Sequence, residues 1–255
     1  MKSNVQVKKT TSWLQTYFRE SIKTFNAKVQ IPRLANFPQD DVLWEEITAR
    51  EAKFGDEAII SLEDSKFDVV DVMKRTAIRM AHRLTQRVDT SIWNMLSDNQ
   101  SAVDIQTLAT SATWDNATRA SRIPHEDLLE ARQLISGTDL QAYRADTVFV
   151  SPKDLTFLAS NDYIMSSWDA SGPALMKSGH FANLWNMKIV ESPVVTADYA
   201  LVCQAKVALT YKEAVGLQTS KIEDPGKATT LRAWEIGVSQ LTDPKDVVLI
   251  TNTQA

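Results

Sequence analysis

DVVDVMKRTAIRMAHRLTQRVDTSIWNMLS, Asp68 to Ser97, is the stretch whose reading decides the fold. Val69, Val72, Thr76, Met80, Leu84, Val88, Ile92 and Met95 recur at steps of three or four, which a period of 3.6 residues gathers on one side of a helix. Arg75, Arg79, His82, Arg83, Gln86 and Arg87 fall elsewhere, so the helix is amphipathic. Glu63, Asp64, Ser65 and Asp68 stand ahead of it, where side-chain oxygens cap free N–H groups and negative charge suits the dipole. With no internal Gly or Pro, it reaches roughly 45 Å at about 1.5 Å per residue. One compact domain of this size needs no helix so long, and the segment predicts a strut with partners along its whole length.

Around the strut, 255 residues with 44% apolar content are ample for a packed core. The single cysteine, Cys203, excludes an internal disulfide and a Cys-based zinc site, and its run ALVCQAKVAL marks it as a small buried hydrophobe. The first thirty residues lack an apolar signal core and no run approaches membrane-span length, so we expect a soluble protein with no membrane partner. Net charge is −4 but uneven: residues 1–36 carry +6, leaving −10 on the rest. A basic leader on an acidic body predicts an arm lying on an acidic surface. Duplex DNA is the weaker candidate, because phosphate binding needs many basic groups.

Residues 1–38 read as an arm. Trp13, Leu14, Tyr17, Phe18, Ile22 and Phe25 fit one helical face, with Ser12 and Gln15 spaced as a capping box, and Pro32 and Pro38 end the helix. Gly55-Asp56 predicts a turn joining Ile47–Phe54 to Ala58–Leu62 as a hairpin. Beyond the strut, residues 97–122 are polar and loop-like. Pro124 opens a second helix with acids behind it, and Gly137 closes it. Thr147–Val150 is a buried strand, and Ser151 caps a helix opened by Pro152. Asn161–Asn183 reads as a surface loop. Strands then follow at Leu184–Val190, Tyr199–Leu209, Thr230–Ser239 and Asp246–Thr251, separated by Pro193, Gly216 and turn residues.

Chemistry leaves few marks. Seven glycines include no phosphate loop, no dinucleotide fingerprint and no nucleophile elbow, so no nucleotide cofactor is expected. His82, His125 and His180 are isolated, and none belongs to a metal-binding spacing. His125, Glu126 and Asp127 are adjacent on a helix start and point in different directions, so a solvated cluster outweighs a metal or catalytic role. The carboxylate pairs Asp40-Asp41, Glu45-Glu46 and Glu223-Asp224 have no partner legible in sequence. Seven tryptophans, spread along the chain, suit a protein with much surface to bury on copies of itself.

Six segments in order complete the reading: EAIISLEDSKF leading into the strut, HEDLLEARQLI, TVFVSPKDLTFLAS, LWNMKIVESPVV, ALVCQAKVALTYKEAVGLQ and RAWEIGVSQLTDPKDVVLIT. Their order and spacing, over roughly residues 40–251, resemble the HK97-type major capsid proteins of tailed double-stranded DNA viruses, a fold shared with encapsulin shells. The resemblance implies an α+β fold with an N-terminal arm at 1–38 and an extended loop at 40–66. It also implies a peripheral domain from 67–99 and 229–255 around a spine helix, and an axial domain at 100–228.

It further implies a non-enzymatic structural protein of the virion, assembled in the host cytoplasm by self-association into pentamers and hexamers that confine DNA non-specifically. No catalytic, metal or cofactor site is implied. Portal, scaffolding, protease and decoration proteins are the implied companions. Trp13, Tyr17, Phe18, Trp44, Lys53 and Phe54 are the expected subunit-interface residues. Some relatives join subunits through a Lys–Asn link, and Lys53 lies in the corresponding segment without an identifiable Asn. No scaffolding-like segment precedes Lys2, so a mature form or a separate scaffold is expected. The alternatives are an encapsulin-like shell around a protein cargo, an α+β hydrolase using His125, Glu126 or Asp127, and a DNA-binding protein acting through its basic arm.

Overall fold

The computed structural model describes residues 1–20, 44–67, 71–97, 105–118, 121–137, 143–166 and 183–255. In chain order the elements are β1 (Gln6–Lys9), β2 (Leu14–Glu20), β3 (Trp44–Arg50), β4 (Ala52–Ser61), α1 (Leu62–Phe67), α2 (Val72–Ser97), β5 (Gln106–Ala109), α3 (Pro124–Gly137) and β6 (Thr147–Val150). There follow α4 (Pro152–Ala159), α5 (Asp162–Ser166), β7 (Asn183–Leu184), β8 (Met187–Glu191), β9 (Tyr199–Cys203), α6 (Ala205–Ala208), β10 (Leu209–Asp224), β11 (Ala228–Leu241) and β12 (Val247–Thr251). They divide into two units. One comprises Met1–Gln15, Ala49–Asn99 and Leu209–Leu241; the other comprises Thr16–Thr48, Gln100–Ala208 and Thr242–Ala255.

The first unit is built on α2. Met80, Leu84, Val88, Ile92 and Leu96 are buried at every fourth position, with Trp93 beside them. Met80 and Leu84 pack on Ala233, Phe54, Ala58 and Leu231 of the sheet beneath, a ridge of the helix seated on a half-buried pleat. The helix starts later than its sequence pattern suggests. Asp71 caps it, its Oδ1 accepting from the Lys74 amide at 3.0 Å. Glu63, Asp64 and Ser65 belong instead to α1, which Ser61 caps by accepting from the Asp64 amide at 3.0 Å, and Asp68 lies outside the described residues.

That sheet runs β1-β10-β11-β4, with β1 parallel to β10 and the other pairs antiparallel. Gly55-Asp56, expected as a turn, lies inside β4, where Gly55 faces Trp234 across the ladder. Pairing along residues 52–61 outweighs the local turn preference, and the strands break at buried Glu51 instead. Gly216 likewise does not end a strand: β10 passes through it with irregular register between Glu213 and Gln218, the usual outcome of a glycine inside a long strand.

β2 and β3 pair as a two-stranded ribbon. The helix expected around Trp13 to Phe25 is therefore a strand over Leu14–Glu20, and Ile22, Phe25 and the two prolines lie outside the described residues. Leu14, Thr16 and Phe18 are exposed while Gln15, Tyr17 and Arg19 are more covered, a period of two. Ser12 and Gln15 form no capping box: Ser12 Oγ donates to the Leu14 carbonyl at 2.8 Å, and Gln15 Nε2 to the Ser12 carbonyl at 2.7 Å.

The second unit is organised by a mixed sheet, β5-β12-β9-β6-β8-β7. Its central strands are buried on both faces, which is why TVFV and VVLI read as continuous apolar runs. Leu128, Ala131 and Ile135 of α3 and Leu158 of α4 pack into the same core as Trp114, Val148, Val202 and Val248. Ser151 caps α4 as its sequence indicates, accepting from the Asp154 amide at 3.1 Å. Three expectations change in detail. Trp185 and Asn186, with φ of 50° and 63°, turn Asn183–Glu191 into a tight hairpin. Tyr199–Leu209 is divided by α6, and Asp162–Ser166 of the expected loop is a short helix.

Candidate assembly surfaces

The residues expected at subunit interfaces lie on β2, β3 and β4, with Trp13 just ahead of β2. Trp13 is 55%, Leu14 56% and Phe18 57% exposed at and beside the start of the ribbon, while Tyr17 is partly covered. Lys53 of β4 is exposed, and Phe54, its neighbour, turns inward against Met80 and Leu84. The side chain of Trp44 lies outside the described residues. The alternation of β4 puts Ile59, 72% exposed, on the same outward face as Lys53 and Glu57, and Arg232 pairs with Glu57 there at 2.8 Å. Large apolar side chains held this far in water on paired strands form apolar patches on the surface of the chain.

The cluster His125–Asp127 is not solvated. His125 is buried and stacks on Tyr163, ring centroids 4.2 Å apart, while burial lowers its pKa against the raising effect of Glu126. Asp127 is buried and accepts from Trp114 Nε1 at 2.8 Å; burial pushes its pKa up to about 6, and the Trp114 hydrogen bond only partly opposes this. Glu126 points out. His125 is thus held by packing and Asp127 by a hydrogen bond, while His125 Nδ1 is buried without a hydrogen-bond partner. Among the described residues no group of three or more His, Cys, Asp or Glu is placed to hold a metal, and His180, Asp40 and Asp41 lie outside those residues. Glu223 and Asp224 pair with Lys221 and Lys227.

A further constellation, invisible in sequence, sits in the first unit. Lys2 Nζ lies 2.7 Å from Glu213 Oε2 and 2.5 Å from Glu235 Oε1, and 4.8 Å above the Tyr211 ring. Tyr211 Oη donates to the same Glu235 oxygen at 3.0 Å. The Met1 ammonium and the Lys2 amide both donate to the Asp89 carboxylate, at 3.0 and 2.9 Å. Burial acts to lower the Lys2 pKa, but the two glutamates outweigh it and raise it; burial, then Glu235, raises that of Tyr211. The network fastens the start of the chain to α2, β10 and β11. The hydrogen bonds and ion pairs of Met1 and Lys2 reach 87 to 233 residues along the chain, so no local signal joins them.

Residues 44–250 match the family described as phage capsid protein. The chain belongs to that phage capsid protein family. Among solved structures it is similar to the capsid of cyanophage P-SCSP1u, with TM-score 0.72 and 12% identity over 97% of this chain and 86% of that one. It is also similar to the virus-like particle of Pyrococcus furiosus, with TM-score 0.71 and 10% identity over 98% and 91% of the chains. A third likeness is to the capsid of a native GTA particle computed with C5 symmetry, with TM-score 0.68 and 11% identity over 99% and 89%. No curated protein matches the chain. The fold of this capsid-family chain is the HK97-type α+β fold, and the protein is a structural shell component of the virion, so the hydrolase and nanocompartment readings are not favoured.

Proposed function

We propose that copies of this chain form pentamers and hexamers that close into an icosahedral container for double-stranded DNA, assembled in the host cytoplasm and without catalysis of its own. The unit built on α2 takes the peripheral role, and the unit built on the six-stranded sheet takes the axial role. The observation that carries this reading is the ribbon, whose Leu14 and Phe18, with adjacent Trp13, are more than half exposed. Pentamers are supported by the C5 symmetry of the GTA capsid with the same fold. In this reading the ribbon and the outer face of β4 cover neighbouring subunits, with Trp13, Tyr17, Phe18, Trp44, Lys53 and Phe54 at or beside the contact. Portal, scaffolding, protease and decoration proteins complete the particle.

The test is the double substitution Trp13→Ser/Phe18→Ser. These side chains cost little to remove from the isolated subunit, so its melting temperature should hold while particle yield collapses. Particles of normal yield and size from the double variant would refute the assignment of the ribbon.

A further inference from the structure

We propose that the exposed flank of α2 is the surface of this protein that meets the phosphate backbone of enclosed nucleic acid, an inference that rests on the container reading above and gives it an inner face. Arg75, Arg79, Arg83 and Arg87 repeat every fourth residue and are all exposed. The buried row Met80, Leu84 and Val88 repeats with the same step. Two rows with one step wind around the helix together. The arginines therefore keep a constant offset of about 100° from the side seated on the sheet, all along the helix.

The row is positively charged without interruption. From Val72 to Val88 the helix contains no carboxylate, and Lys74 adds a further cation. Among the described residues only Arg83 of the four has an ion-pair partner, Asp56 at 3.5 Å, and its side chain remains 75% exposed. Arg83 and Arg87, with Gln86 and Thr90, line a groove of about 440 Å³ against β4. Successive guanidinium groups rise about 6 Å, and the four span roughly 18 Å. A duplex offers a phosphate about every 3.4 Å on each strand over that length, and each guanidinium presents a fork that fits phosphate oxygens.

A second copy of this chain is the poorer occupant. Its described exposed acids are spread over separate elements: Glu57, Glu223 and Asp224 face cations of their own, and others, such as Glu63 on α1, Glu130 on α3 and Glu191 on β8, stand apart from one another. None of them forms a row that matches four arginines. The overall charge of −4 does not count against binding, because affinity for phosphate follows the local face and not the sum.

The test uses the full chain as dissociated subunits and a fluorescent duplex of about 30 bp and mixed sequence, titrated from about 50 to 200 mM salt. Three to four phosphate contacts predict a slope of log K against log salt of about −3 to −4, a loss of roughly a hundredfold across that range. The variant R75Q/R79Q/R83Q/R87Q should lose that slope, and R75Q/R79Q, which leaves the Asp56 contact intact, should lose about half. The control K8Q/K9Q, in the basic leader, should retain the full slope. Absence of wild-type affinity, or an unchanged slope in both arginine variants, overturns the proposal. So does a K8Q/K9Q variant that alone abolishes binding. Light scattering on wild-type protein separates the two readings. Subunits that bind duplex through the arginines but never form particles refute the container; particles formed by a wild type without duplex affinity refute the ridge alone.

Discussion

Tyr211 lies across Gly237 of the neighbouring strand so closely that a Cβ at position 237 would stand 2.5 Å from the Tyr211 hydroxyl oxygen and 2.7 Å from the Lys212 carbonyl oxygen. Tyr211 is fully buried there and holds Glu235, which also takes Lys2. Gly237→Ala must therefore displace a ring pinned by its own hydrogen bond or shift the backbone of β10. Overpacking of this kind costs about 1–3 kcal/mol. Chemical denaturation should show that loss, whereas Gly137→Ala, where an added Cβ meets nothing within 4 Å, should not destabilise the chain.

Asp154 ties the end of the chain to α4. Fully buried, it accepts from Ser151 Oγ at 2.8 Å, Thr253 Oγ1 at 3.3 Å and Gln254 Nε2 at 3.0 Å. Ser151→Ala removes a cap and should cost about 1 kcal/mol. Asp154→Ala leaves three donors short of an acceptor and should cost clearly more, about 2–4 kcal/mol. Equal melting temperatures for the two variants would contradict this account.

Two buried acids set a pH dependence. Burial raises Asp127 to about 6 and Asp246 to about 8; Asp243 and Asp146 raise Asp246 further, and the Gln204 backbone draws it partly back. In the unfolded chain an aspartate titrates near pH 4. Between about pH 4 and pH 8 the unfolded chain has therefore released protons that the folded chain still holds. The stability these groups contribute is complete below pH 4 and is lost as pH rises through 6 and then 8. Asp246→Asn should flatten the upper part of that fall, so the variant gains on the wild type between pH 6 and pH 8.5. Parallel curves from denaturant melts at pH 5, 7 and 8.5 would show that Asp246 titrates normally.

The hydrolase alternative makes an opposite claim about His125. Buried against Tyr163, His125 is a packing residue, and His125→Ala should lower stability by roughly 2 kcal/mol through the lost contact. His125→Phe, which keeps an aromatic ring on Tyr163, should recover much of that loss. Loss of a measurable hydrolytic activity in either variant, with assembly intact, would reverse the assignment.

What the sequence disclosed follows from which forces are local. The α2 helix, the Pro124 and Ser151 helix starts and the buried TVFV and VVLI strands are each set by periodicity or a cap within a few residues. They appear where the pattern places them, within a turn of helix. The arm and the hairpin misled for one shared reason. Trp13 to Phe18 satisfies both a helical and a strand period, and Gly55-Asp56 carries a turn signal; β3 and β11 decide both by offering a ladder, and a ladder partner is not a local property. Gly216 was absorbed as an irregularity by the same long pairing. The Lys2 network and the Tyr211–Gly237 contact join residues far apart in the chain. The arginines of α2 are legible in the sequence as its polar side, but that they stay exposed beside the buried row depends on where the sheet lies.

The most direct measurement is the mass of the purified chain in solution, by multi-angle light scattering with electron microscopy of the same fractions. The account predicts closed particles, or rings of five and six, across a range of salt and concentration. A monomer near 28.5 kDa that persists throughout would contradict it.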